Sequence, residues 1–170
     1  MVPIETPRLL IRAPELEDVD QLMAVMGDSD AMQYIGDGTT RPRDEVAAGQ
    51  EAKQRYLVEH GFTMFTVVEK SSGDVVGDCG LGTWKETGEI EIGWRFAPRF
   101  WGKGYGTEAA IAVFAHARKI GLIHLICMVQ SKNVASWRIA ERLGFRLDRE
   151  WVRNGRLTRR YVWQLPVPAA

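Results

Sequence analysis

The sequence predicts an α/β (α+β) fold: a mixed, mostly antiparallel sheet of six or seven strands, helices on both faces, and a βαβ unit at its centre. Three observations predict it. First, Glu89-Ile90-Glu91-Ile92-Gly93-Trp94-Arg95-Phe96 alternates polar and apolar residues as a strand does. A loop with alternating glycines follows, Phe100-Trp101-Gly102-Lys103-Gly104-Tyr105-Gly106. Thr107 to Ile120 then reads as a helix, with Glu108 in its first turn, Arg118 and Lys119 in its last, and Gly121 placed to end it. Leu122 to Val129 is an apolar run fit for a buried strand, which completes strand, loop, helix, strand. Second, the chain from Phe62 to Phe96 is a series of short strand-like segments separated by the turns Ser71-Ser72-Gly73-Asp74 and Glu86-Thr87-Gly88, as in antiparallel hairpins. Third, 170 residues without an internal repeat or a dividing linker suit one domain, 1–170, with a core of its own.

The other elements follow in order. Arg8 to Arg12 reads as a strand ended by Pro14. Glu15 to Met26 places Leu16, Val19, Leu22, Met23 and Met26 at helical spacing, and Gly27-Asp28-Ser29-Asp30 breaks it. Residues 31–43 hold Gly36, Asp37, Gly38 and Pro42 with little periodicity and predict an irregular, mobile loop. Arg43 to His60 is a second helix ended by Gly61. Asn133 reads as the N-cap of a helix carrying Val134, Trp137, Ile139, Ala140 and Leu143, with Gly144 as its C′ residue. Arg146 to Val152 and Leu157 to Leu165 form a last hairpin across Asn154-Gly155, and residues 166–170 are a frayed tail.

Lys plus Arg and Asp plus Glu number 22 each, so no global basic field draws the chain to nucleic acid or to anionic lipid. The basic cluster from Arg153 to Arg160 is local and reads as a solvated hairpin. Cys79 and Cys127, the two cysteines, sit in apolar runs and read as buried free thiols. His116 and His124 lie on apolar faces and read as satisfied core residues. No secretory signal opens the sequence and no apolar run reaches the roughly 18 residues of a membrane span, so a cytoplasmic protein is expected.

The glycine loop carries the first functional signal. Glycines let other groups approach the main chain, and a helix N-terminus offers unpaired N–H groups and a positive dipole end. A phosphate or pyrophosphate suits such a loop, and Lys103 can add a full charge; the loop could equally do no more than link strand to helix. Gly104-Tyr105-Gly106-Thr107-Glu108-Ala109 also fits the dinucleotide fingerprint Gly-x-Gly-x-x-Ala. However, Ala97 to Trp101 separate strand from glycines, and Gln130-Ser131-Lys132 stand where a ribose-binding carboxylate belongs.

The stretch resembles the acyl-CoA loop of the GNAT N-acetyltransferase superfamily, and most closely the subfamily of RimJ and RimL, acetyltransferases of ribosomal-protein N-termini. In the pattern Gln/Arg-x-x-Gly-x-Gly/Ala, Gly104 and Gly106 take the small positions, and Trp101 departs from the first one. Further likenesses are Glu91-Ile92-Gly93-Trp94, Asn133-Val134-Ala135-Ser136, Leu143-Gly144-Phe145 and Thr6 to Arg12, so the resemblance spans about residues 6–165. It implies acetyl-CoA as cosubstrate, with no metal. Its phosphates would lie on Trp101, Gly102, Lys103, Gly104, Tyr105, Gly106 and Thr107. Its pantetheine arm would lie between splayed strands, touching the main chain of Arg95 and Phe96 and the side chain of Asn133. A homodimer follows from family analogy alone.

Acetyl transfer to an amine requires a proton acceptor, donors for the developing oxyanion and the leaving sulfur, and alignment of the two substrates. Glu91 is the candidate base, on a strand covered on both faces, where burial raises a carboxyl pKa; the plainer alternative is a carboxylate bonded to backbone or to an Arg. Glu89 and Asp78 are further candidates. Many relatives place a Tyr where this chain has Ala140, so the resemblance points to Ser136 as the group beside the sulfur, with helix capping as the alternative. Trp84, Trp94, Trp101 and Trp137 either line an acceptor pocket or fill the core. The acceptor would be a protein N-terminus or a small-molecule amine, and the competing function is a non-catalytic acyl-CoA-binding module.

Overall fold

The structure, a computed structural model, describes residues 3–165. Eight strands form one sheet in the order β1-β2-β3-β4-β5-β6-β8-β7: β1 (Ile4–Glu5), β2 (Leu9–Arg12), β3 (Met64–Glu69), β4 (Val75–Thr83), β5 (Ile90–Phe96), β6 (His124–Gln130), β7 (Arg146–Arg153) and β8 (Arg156–Gln164). Every neighbouring pair is antiparallel except β5 with β6. The strand beyond the expected six or seven is β1, whose two residues are too few to show a period.

The helices are α1 (Val19–Met26), α2 (Ser29–Met32), α3 (Arg43–His60), α4 (Tyr105–Lys119) and α5 (Val134–Arg142). Helix α4 lays Ala109, Ala110, Val113 and Ala117, all fully buried, toward β4 and β5. Alanine on that stripe lets helix and sheet approach closely. On the opposite face, Lys53 of α3 reaches Asp78 of β4. Helices therefore cover both faces, around a core that includes Leu9, Ile11, Phe65, Val67, Leu81 and Ile92.

Several boundaries differ from the sequence reading. Residues Leu16–Asp18 form a 3-10 turn, and α1 starts after it. Helix α4 starts at Tyr105 rather than Thr107, with Gly104 as its N-cap at φ 80°, a value open to glycine. Residues 31–43 are irregular from 33 to 42, as expected. They begin in the short helix α2, whose Asp28 cap accepts the Ala31 N–H at 2.8 Å, and Arg156 of β8 donates to the carbonyls of Gln33 (2.7 Å) and Asp37 (3.1 Å). A tie across more than a hundred residues leaves no local signal. Asn154 and Gly155 both take positive φ, 50° and 73°, as a two-residue hairpin turn requires. The tail at 166–170 lies outside the described residues. Among these, no helix is long and apolar enough to cross a membrane.

Candidate active site

The ladder between β4 and β5 decides which main-chain groups face the centre of the sheet. Ala97 N–H donates to the Val76 carbonyl (3.0 Å) and Trp84 N–H to the Glu89 carbonyl (2.8 Å), while Gly77 stands opposite Phe96. Bonded and non-bonded pairs alternate in an antiparallel ladder. The main chain of Glu91, Gly93 and Arg95 is therefore turned to β4, and that of Ile92, Trp94 and Phe96 to β6. Strand β6 registers with β5 only at Glu91–Ile126. Beyond that pair the ladder stops, leaving an open cleft. This corrects the expected pair of cleft-facing backbones, Arg95 and Phe96, to Trp94 and Phe96. Arg95 contributes its side chain instead. The Phe96 carbonyl already accepts the Trp101 indole N–H at 2.7 Å.

Glu91 sits where the two strands part, and its Oε1 accepts the Met128 N–H at 3.3 Å. It fills the place of a ladder bond with a carboxylate. Burial pushes its pKa up to about 7, against the pull of the Met128 N–H and of Arg153 and Arg95. A carboxyl tuned to that value can accept a proton near neutral pH. It lines a cavity of about 320 Å³ together with Trp84, Trp94, Arg95, Ser136 and Arg153.

The two other carboxylates are committed elsewhere. Glu89 bonds His124 (2.7 Å), Arg160 (2.5 Å) and Thr87 (2.8 Å), partners that outweigh its desolvation and lower its pKa. Asp78, fully buried, takes Arg95 through Nε (2.8 Å) and Nη2 (2.5 Å) and Lys53 at 2.9 Å. Burial opposes its ionisation, but the two cations win and hold its pKa at about 2. Neither is suited to act as a base at neutral pH. Sequence reasoning had no view of Lys53, 25 residues upstream of Asp78.

Ser136 lies in the first turn of α5. Its N–H donates to the Asn133 side chain (3.2 Å), and its hydroxyl accepts the Trp94 indole N–H (3.0 Å). Asn133 thus does the capping, and the Ser136 hydroxyl proton remains available to the cavity that both residues line. Side chains alternate along β5, so Trp94 faces away from Glu91 and Arg95. Glu91 and Ser136 meet the cleft from its two sides.

At the head of α4, Glu108 N–H donates to Gly104 (3.1 Å), which makes it the first intrahelical donor. The N–H groups of Tyr105, Gly106 and Thr107 are left pointing out of the helix end, as an anion site requires. Gly102 and Gly104 both take positive φ. Gly106 has a different role: an added Cβ would come within 3.3 Å of Ile139 and 3.6 Å of Phe96, so glycine there admits α5 and β5. Tyr105 is buried with its hydroxyl on Glu69 and can offer only its main chain. Trp101 is half exposed, and Lys103 stands over the Phe100 ring at 5.0 Å. Arg8, read only as part of the first strand, is a missed member of this region: it donates to the Lys103 carbonyl (2.8 Å) and pairs with Glu108 (2.6 Å). It fixes the loop and brings a second cation to the helix end.

Both cysteines are buried and unpaired, and burial pushes each thiol pKa up. His116 is not satisfied as expected, since its Nε2 is buried with no partner among the described residues. Its ring meets Phe65 edge-on, and burial lowers its pKa, so it is held neutral.

A helix end with free N–H groups thus lies beside parted strands on a mixed sheet, with a neutral-range carboxyl in the gap. Residues 8–146 match the acetyltransferase (GNAT) domain family, and the chain belongs to that family of acetyltransferases. It is 31% identical over 148 residues to the uncharacterized N-acetyltransferase YnaD of Bacillus subtilis, covering 85% of this chain and 83% of that one. A GNAT-family acetyltransferase structure from Bacillus anthracis superposes with a TM-score of 0.83 at 25% identity, covering 96% and 98% of the two chains. RimL, the ribosomal L7/L12 alpha-N-protein acetyltransferase in complex with coenzyme A, superposes with a TM-score of 0.80 at 16% identity, over 96% and 98% of the chains, and shares the fold.

Proposed function

We propose that the protein moves the acetyl group of acetyl-CoA to a primary amine, on a protein N-terminus or a small molecule, by direct attack on the thioester. The observation that carries this reading is Glu91: a carboxyl with a pKa of about 7, wedged where β5 and β6 part. The helix end at Tyr105 to Thr107 suits the pyrophosphate, with Lys103 and Arg8 adding charge. The cleft-facing main chain of Trp94 and the Phe96 N–H suit the amides of the pantetheine arm, while the Phe96 carbonyl is held by the Trp101 indole. Asn133 and Ser136 line the same gap.

In the transfer, the amine nitrogen bonds to the thioester carbonyl carbon and the carbon–sulfur bond breaks. Glu91 takes the proton that the amine loses, directly or through water. The sulfur leaves as a thiolate, to which the Ser136 hydroxyl donates. A thiol of pKa near 8–9 is a fair leaving group, so this donor assists the step without being indispensable. Titration calorimetry with acetyl-CoA and with NAD tests the ligand assignment. Acetyl-CoA is expected to bind and NAD to give no heat; tight NAD binding overturns the reading.

A further inference from the structure

The cavity holds cations that the transfer itself does not use. Its charged lining consists of Glu91, Arg95 and Arg153. Arg95 spends Nε and Nη2 on Asp78. Arg153 spends Nε (3.1 Å) and Nη2 (2.7 Å) on Glu86 and lies over the Trp84 ring at 4.6 Å. In each, Nη1 has no protein acceptor among the described residues. The sole buried side-chain nitrogen or oxygen without a partner there is His116 Nε2. Both Nη1 groups therefore keep some exposure to solvent, and both residues line the cavity.

The two guanidiniums are held in place without the acceptor. Glu86 and the Trp84 ring fix Arg153 at the mouth; Asp78, itself locked by Lys53, fixes Arg95 along β5 on the Glu91 face. A pre-set guanidinium with a free N–H edge suits a carboxylate. Asp78 and Glu86 offset part of the positive charge, so what the two residues offer an acceptor is a free N–H edge, which an acceptor carboxylate can use and a second ammonium group cannot.

We infer that the acceptor is an amino carboxylate: a small molecule whose amine reaches Glu91 while its own carboxylate is held by Arg153, with Arg95 as a second donor. This rests on the acetyl-transfer reading above and narrows it to a substrate class. The cavity of about 320 Å³, shared with the end of the pantetheine arm, leaves room for a molecule of amino-acid size.

The test is the rate of thiol release from acetyl-CoA with glycine, L-serine, L-methionine, L-leucine and L-phenylalanine, with their amides, and with short peptides that begin with the same residues. At least one free amino acid is expected to exceed its amide by ~10-fold or more in kcat/KM. Arg153→Gln should remove that preference by raising KM for the acid, while any loss of kcat from the accompanying rise in the Glu91 pKa falls on acid and amide alike. Arg55→Gln, on the exposed side of α3, should change neither. Equal rates for acids and amides, better rates for peptides than for free amino acids, or a preference that survives Arg153→Gln overturn the carboxylate assignment and leave acetyl transfer standing. If no amine, in this panel or among polyamines, elicits thiol release, acetyl transfer is overturned and this inference with it.

Discussion

Replacing Glu91 by Gln tests the base and should move activity and stability in opposite directions. Gln keeps the shape and can still accept the Met128 N–H, but it takes no proton. With a pKa of about 7, Glu91 is about half ionised at neutral pH, so the wild-type rate should climb through pH 7 and flatten above it. In Glu91→Gln that inflection should vanish and the rate at saturating acetyl-CoA should fall by ~10²–10⁴, the usual range for a general base. High pH should return part of it. An amine of pKa ~8 goes from about one-tenth to about nine-tenths neutral between pH 7 and 9, a roughly tenfold recovery. The stability effect has the opposite sign. Folding raises the Glu91 pKa from 4.5 to about 7. The folded state thus binds the proton more tightly, and stability falls as pH rises through that window. At 1.36 kcal/mol per unit the full cost is at most ~3 kcal/mol, reached above pH 7. Gln bears no such cost, so above pH 7 the variant should be the more stable protein by up to that amount. Denaturant melts at pH 5 and 8 beside a pH–rate profile measure both. A variant with wild-type rates across the range, or one destabilised at pH 8, refutes the reasoning.

Other substitutions separate the remaining roles. Ser136→Ala should slow turnover by at most a few kcal/mol of barrier, with no selective rescue at high pH and little change in acetyl-CoA affinity; unchanged rates reduce Ser136 to a helix residue that holds Trp94. Gly104→Val should stay folded by circular dichroism but lose acetyl-CoA affinity by ~10-fold or more, since a branched side chain at φ 80° strains the turn and covers the helix end; unchanged affinity in calorimetry places the phosphates elsewhere. Asp78→Asn should cost ~3–5 kcal/mol in denaturant melts, because it leaves Lys53 and Arg95 without their buried anion. The same pair predicts an acid limb in the wild type: Asp78 titrates lower folded than unfolded, so its contribution is present above pH 3.8 and lost as pH falls toward 2. A wild type equally stable at pH 2 and 5 contradicts it.

The fold was legible because its signals are local. Alternation from Glu89 to Phe96, turns at Gly73 and Gly88, and Asn154-Gly155 each carry their own geometry, and the structure has all of these elements. What the sequence hid depends on pairing over distance. Side-chain alternation shows which face Arg95 is on, but the parity of the β4–β5 hydrogen bonds decides which main chain meets the cleft, and that shifted the pair to Trp94 and Phe96. Arg156 holding residues 33–37, Arg8 clamping the head of α4, and Lys53 locking Asp78 are ties of 25 residues or more with no periodic trace. At the site, Glu91 could be named from its strand. That Asp78 is spent on two cations could not, and neither could the capping of Ser136 by Asn133, which leaves the hydroxyl free.

The central claim is that this cleft acetylates an amine at the expense of acetyl-CoA. Its most direct test is to quantify free thiol and N-acetylated amine together, by thiol titration and mass spectrometry, in one reaction with a good acceptor. The account predicts one acetylated amine per thiol released, with both lost together in Glu91→Gln at neutral pH. Saturable acetyl-CoA binding with neither product, for any amine offered, is the result that contradicts it.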